Sequence, residues 1–182
     1  MFSYELSSKH AGLVLIGDYF TLSSLHSVLH DVYQRTPFLQ EKESFLSLAY
    51  DIRKAYEGKR KIFQPPEYQS EIGIRYGEEM SWPVLLVQSR MLRVSLSYID
   101  HSKKHQAITY ALEDVIEDAL KKDFANDANK IIDAWRRLNE QDVSLLDRLN
   151  ELYEEFHSWN ARQRKTQLPT LLLPSWIREQ KL

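Results

Sequence analysis

Apolar positions along the chain change spacing several times, and each change predicts an element. Phe2 to Leu6 and Leu13 to Gly17 read as two short strands joined by the polar Ser7-Ser8-Lys9-His10-Ala11-Gly12 stretch. Leu13-Val14-Leu15-Ile16 is continuously apolar, so the pattern leaves open whether one face of that strand or both are covered. Asp18 and Thr21 then offer capping oxygens before Leu22, Leu25, Val28, Leu29 and Val32, the spacing of one helical face, which Pro37 ends. A second helix is predicted over Glu41–Tyr56 from Phe45, Leu48, Ala49, Ile52 and Tyr56. Glu41 and Glu43 near its start and Arg53 and Lys54 near its end suit the dipole, and Gly58 supplies a stop.

Beyond Pro65-Pro66 the period becomes two. Ile72, Ile74 and Tyr76 alternate with Glu71 and Arg75 in a predicted strand, and Gly77-Glu78-Glu79 reads as a connection. Strands are also predicted for Trp82 to Val87 and for Met91 to Tyr98, where Met91, Arg93, Ser95 and Ser97 alternate with Leu92, Val94, Leu96 and Tyr98. A buried helix from Val84 to Leu96 is the alternative, because no hairpin turn divides that segment.

From Lys103 the pattern is helical, with Ile108, Leu112, Val115 and Ala119 on one face and Asn126 as the cap of the next helix. Ile131, Trp135, Leu138, Leu145, Leu149, Leu152, Phe156 and Trp159 then form a near-heptad seam. One long helix or a coiled coil fits it. Two helices broken at Asn139-Glu140-Gln141, with Asp142 capping the second, fit slightly better. The tail carries Leu168, Leu171, Leu172, Leu173, Trp176 and Ile177 around Pro169 and Pro174, and this apolar surface is expected against its own domain or across a subunit interface.

These elements give an α+β fold: a small antiparallel or mixed sheet with N-terminal helices and a C-terminal helical layer. At 182 residues the chain fits a single domain, 1–182, with a possible subdivision into a strand-rich part, 1–100, and a helical part, 101–182. Hydrophobic residues at 43% and charged residues at 27% describe a globular chain. The net charge of -2 gives no bulk attraction for nucleic acid or an anionic membrane. With no cysteine there is no disulfide, thiolate metal site or cysteine nucleophile, and with no secretory leader or long apolar run the expected location is the cytoplasm.

Candidate chemistry is sparse. His26 and His30, and again His101 and His105, stand one helical turn apart, the spacing at which two imidazoles can share a divalent metal, although each pair lacks further ligands and the glutamate of the common metallopeptidase motif. Glu154 and His157 hold only one of the paired motifs that a di-iron bundle needs. His26, Ser27 and Asp31 contain the residue types of a triad without its geometry. Glu113, Asp114, Glu117 and Asp118 form acidic pairs that Lys121 and Lys122 relieve. Lys59, Arg60 and Lys61, beside aromatic residues, form the best nucleic-acid patch. Met80-Ser81-Trp82-Pro83 is distinctive but points to no activity.

Together these features describe a protein-interaction or self-assembling module, expected as a homodimer, with Trp135, Phe156, Trp159, Leu171, Leu172, Leu173, Trp176 and Ile177 as its interface. No cofactor is predicted, and the balance leans away from an enzyme. A metal-dependent enzyme built on a histidine pair is the alternative, and weak nucleic-acid binding through Lys59, Arg60 and Lys61 is a third reading.

Overall fold

The structure is a computed structural model; it describes residues 1–65 and 67–173, the side chains of 69, 70 and 72 excepted. Four strands, β1 (Ser3–Leu6), β2 (Gly12–Gly17), β3 (Lys61–Phe63) and β4 (Arg75–Ser81), make one antiparallel sheet in the order β1-β2-β4-β3. The helices are α1 (Tyr19–Arg35), α2 (Glu43–Lys54), α3 (Trp82–Ser95), α4 (Lys103–Phe124), α5 (Ala128–Arg137), α6 (Leu149–Ser158) and α7 (Ala161–Leu171). The fold is therefore α+β, with a small antiparallel sheet, N-terminal helices and a larger C-terminal helical bundle from α4 to α7.

Every residue of β2 is buried, which accounts for its unbroken apolar run. Leu13 and Leu15 share a face with Met80 and Glu78 of β4, and the leucines and Met80 join the core residues of α1 and α2. Gly12 is required where β2 meets β4, since a Cβ there would stand 1.9 Å from the Met80 carbonyl oxygen. Asp18 caps α1, its carboxylate accepting the Thr21 N–H at 2.8 Å, and Pro37 opens a short 3₁₀ turn just beyond that helix. Gly58, at φ 75°, turns the chain out of the wide helical turn that ends α2 and toward β3.

The middle third corrects three sequence expectations. Trp82 to Val87 and Met91 to Tyr98 are not strands but the helix α3, followed by a 3₁₀ turn at Leu96–Tyr98, so the buried-helix alternative holds. The helix is enclosed on almost every side: Trp82, Leu85, Leu86, Met91 and Leu92 are buried, as are the polar Gln88, Ser89 and Ser95. A helix without a wet face leaves no period of 3.6 to read. Pro83 sits in its first turn, where its missing N–H costs nothing.

Gly77-Glu78-Glu79 is not a connection but the middle of β4, which runs Arg75–Ser81 instead of starting near Ile72. Gly77 lies beneath the Phe63 ring, 2.7 Å from where a Cβ would be, and Glu78 points to the core face against Arg60.

The late helices break after Arg137. Asn139, not Asp142, is the cap: its Oδ1 accepts the Gln141 N–H at 2.9 Å, while Asp142 returns the bond by accepting the Asn139 N–H at 3.0 Å. A 3₁₀ segment, Glu140–Arg148, then leads into α6. Asn126 lies in a short 3₁₀ turn, and Asp127 precedes α5. Tyr4 of β1 donates its hydroxyl to Asp118 of α4 at 2.5 Å, tying sheet to bundle.

Candidate ligand-binding groove

The junction between β4 and α3 passes without a loop, so Ser81 is at once the last residue of the strand and the residue before the helix. Its neighbour Trp82 is fixed on three sides. The Trp82 backbone N–H donates to the Ala11 carbonyl at 3.2 Å, its indole Nε1–H donates to Asp123 at 2.8 Å, and its ring packs edge-on against Phe124. The other Asp123 oxygen pairs with His10 Nδ1 at 2.7 Å.

A cavity of about 460 Å³ opens beside this junction. Ser44, Ser47, Leu48 and Asp51 of α2 form one wall, and Glu79, Met80 and Ser81 of β4 another. Val84, Leu85 and Gln88 of α3 make the floor, and Leu149, Asn150 and Tyr153 of α6 close the far side. Gln88 is 2% exposed and binds α3 to α2 by donating Nε2 protons to the Ser44 carbonyl at 2.9 Å and the Ser47 hydroxyl at 2.8 Å. A second cavity of about 280 Å³ shares Ser44, Leu149 and Asn150 with the first and adds Glu41, Glu43 and Asp147. The two adjoin along these shared residues, and the pair is termed the groove.

Its charge is one-sided. Asp51 and Glu79 line the first part, Glu41, Glu43 and Asp147 the second, and among the described residues no lysine or arginine lines either. Three of these carboxylates have a cation beside them: Arg60 lies 3.5 Å from Asp51, Lys61 3.4 Å from Glu79, and Lys42 2.5 Å from Asp147. The Ser7 hydroxyl donates to Glu79 at 2.9 Å and, with Lys61, holds that carboxyl below its ordinary range against the effect of burial. Burial pushes Asp51 up, against the pull of Arg60. Behind the groove, Glu78 accepts from Arg60 Nε at 2.8 Å; burial nevertheless pushes its carboxyl up to about 7, and neighbouring Asp51 adds to the rise.

β3 pairs only with Arg75 to Gly77, whereas β2 pairs with Tyr76 to Ser81. From Glu78 to Ser81 the other edge of β4 therefore has no strand beside it among the described residues, and Glu79 to Ser81 border the cavity.

Ser81 and His157 stand 3.1 Å apart, Oγ to Nε2, with the imidazole leaning on Tyr153. Burial, followed by the charge of Arg164, lowers the affinity of His157 for a proton. This is a serine beside a base at the mouth of a cavity, yet the donors that acyl transfer needs at that turn are spent or missing. The Trp82 N–H already serves Ala11, and Pro83 has none. The arrangement is suited to holding a ligand through polar contacts.

Chain comparison adds one finding. A family model, described as Domain of unknown function (DUF6904), matches residues 2–180. The chain belongs to that family. It matches none of the curated proteins and none of the solved structures.

The residues singled out from the sequence lie mostly elsewhere. His26 and His30 meet ring to ring at 4.6 Å, and His26 also faces Tyr56. His105 closes a capping box with Ser102 at the start of α4 and meets Asp31 at 2.8 Å, while His101 contacts the Ile99 carbonyl and Gln106. Among the described residues no three histidine, aspartate or glutamate side chains gather as a metal site. Lys59 pairs with Glu57, Arg60 with Glu78 and Asp51, and Lys61 with Glu79, so each cation of the basic run has a carboxylate beside it.

Trp135, Phe156, Leu171 and Leu172 are buried in the chain's own core, Trp159 packs on that core and Leu173 is half-buried. Trp176 and Ile177 lie outside the described residues. The acidic pairs of α4 take the lysines expected, Glu117 with Lys121 at 3.9 Å and Asp118 with Lys122 at 4.0 Å. Sequence reasoning missed the groove, whose one advance signal was Met80-Ser81-Trp82-Pro83.

Proposed function

We propose that the protein is an interaction module whose groove receives a basic, extended segment of a partner protein. The observation that carries this reading is the lining: five carboxylates and no cation along two adjoining cavities, three of them paired with Arg60, Lys61 and Lys42 from outside the lining, above apolar side chains of α3 and α6. Such a wall favours ammonium and guanidinium groups and repels acidic segments. The apolar floor takes the methylene stems of lysine or arginine, Tyr153 offers a ring face to a cation, and Gln88 and Asn150 bring amides to the wall. Displacing Arg60, Lys61 and Lys42 costs little, because exposed ion pairs contribute about 0 to 1 kcal/mol each. A homodimer is the special case in which the segment comes from a second copy.

The test is fluorescence polarisation with a labelled lysine- and arginine-rich peptide, alongside its glutamate counterpart. Binding of the basic peptide alone is expected, weakened about tenfold by Asp51→Asn with Glu79→Gln, a loss of about 1.4 kcal/mol. Equal binding of both peptides, or no effect of the double variant, would reject the reading. No helix among the described residues is long and apolar enough to cross a membrane.

A further inference from the structure

A separate cavity of about 490 Å³ lies on the other side of α3, between that helix, α4 and α5. Three guanidinium groups reach it. Arg93 is held by both oxygens of Glu113, with its guanidinium 3.9 Å from the centre of the Tyr110 ring, and Arg136 is held by Glu117 at 2.6 Å. Arg90 differs from both. Its Nε donates to the Leu138 carbonyl at 2.9 Å, at the break after α5, and among the described residues no carboxylate stands within ion-pair distance of it. A half-buried guanidinium that is anchored through Nε keeps the two terminal nitrogens of its fork for an acceptor.

Trp135 lines the same cavity at 1% exposure, and its indole Nε1–H meets no acceptor among the described residues. A buried N–H without an acceptor is costly, so most are paired in folded proteins. Arg90 thus brings a guanidinium fork without an ion-pair partner among the described residues to this cavity, while the Trp135 indole N–H is sealed behind the wall its ring helps to form.

We infer that this cavity is a binding site for the oxyanion end, carboxylate or phosphate, of a small molecule, with the Arg90 guanidinium as its donor and the Trp135 ring as part of its wall. Burial weakens the hold of Arg90 on its proton; the charge of Glu113 opposes this, and those of Arg93 and Arg136 add to it. Glu113 and Glu117 are already engaged, which leaves the exposed Asp114 as the acidic group to discriminate against highly charged anions. The volume exceeds what a lone phosphate fills, so the remainder of the molecule lies along Tyr110 and the Trp135 ring.

The experiment is a two-dimensional ¹H–¹⁵N titration of the whole protein that follows the Trp135 indole resonance, assigned by its absence in Trp135→Phe. Inorganic phosphate and acetate are the probes, and sodium chloride at matched ionic strength is the control. A saturable shift with phosphate or acetate and none with chloride is expected, the more effective probe identifying the oxyanion. Arg90→Gln should weaken that response at least tenfold, while Arg137→Gln, an exposed neighbour outside the cavity, leaves it intact. Should Arg90→Gln not fold, Arg90→Lys keeps the charge without the planar fork and is expected to bind more weakly than the wild type. No saturable shift with either anion, a chloride response of equal size, or full binding in whichever Arg90 variant folds would overturn the inference.

Discussion

Glu78 shows what a single inward carboxyl does to this molecule. It sits on the core face of β4 with 9% of its surface exposed, pressed against Arg60 and near Asp51. Its folded pKa, about 7, lies above its ordinary 4.5, so the folded chain binds that proton more tightly than the unfolded chain does. The contribution to stability is full below 4.5 and is lost as the pH rises through about 7. Glu78→Gln cannot titrate, so the wild-type melting temperature measured against it should fall between pH 4.5 and 7. A constant difference across that window would show that Glu78 stays ionised throughout. Asp18 works in the opposite direction. Burial raises its pKa, but bonds from the Thr21 N–H and hydroxyl and from the terminal ammonium outweigh that and bring it down to about 2. Its contribution is present above the ordinary 3.8 and is lost as the pH falls toward 2. Replacing Asp18 with alanine should cost about 1 kcal/mol at neutral pH in a urea titration, and the cost should shrink in acid. Neither effect is legible in the sequence beyond the cap itself. Glu78 reads there as a turn residue because its partner Arg60 reaches it only through the fold, and Ser81 finds its base 76 positions away at His157.

At the scale of elements, legibility followed contrast. The helices α1, α2 and α4 have one wet and one dry face and stand close to where their spacing places them, with Asp18, Pro37 and Gly58 as their punctuation. α3 has no such contrast, since Gln88, Ser89 and Ser95 are as buried as its leucines, and its chance alternation over Met91 to Leu96 imitates a strand. β4 fails in the other sense: a glycine and two glutamates in its middle disguise a strand whose polar side chains find Arg60, Ser7 and Lys61. The groove is made where these two elements join, so misreading them also hid the site. The same junction rests on Gly12, because the β2 backbone passes so near Met80 that a methyl group has no room. Gly12→Ala is expected to push β2 from β4 and to lower the urea midpoint by the equivalent of more than about 2 kcal/mol at unchanged slope. It should weaken basic-peptide binding in the same preparation, since Glu79 and Ser81 are carried by the displaced strand. Loss of stability with unchanged binding would mean that the groove does not depend on this pairing.

For the whole molecule, the decisive fact is where the late aromatic seam goes. One buried cluster, with members drawn from Phe2 through Leu172, takes in Trp135, Phe156, Leu171 and Leu172 together with residues of the sheet and the N-terminal helices. Among the described residues, the groove and scattered exposed aromatics, Phe20 at 79% exposure among them, lie outside this core. Burying an aromatic side chain inside one chain and burying it between two have different consequences for mass. Phe156 is fully buried and touches His157, Trp159 and the Arg164 guanidinium, so Phe156→Ala removes a ring whose space the helices around it cannot fully reclaim. Its cost should be about 3 to 5 kcal/mol, read as a large fall in melting temperature. The native mass spectrum should show the same subunit count as the wild type, because the ring serves the inside of the chain. If the variant instead keeps its melting temperature at high dilution and loses subunits, Phe156 faces a second copy, and self-assembly through the late helices regains the place that the groove holds here.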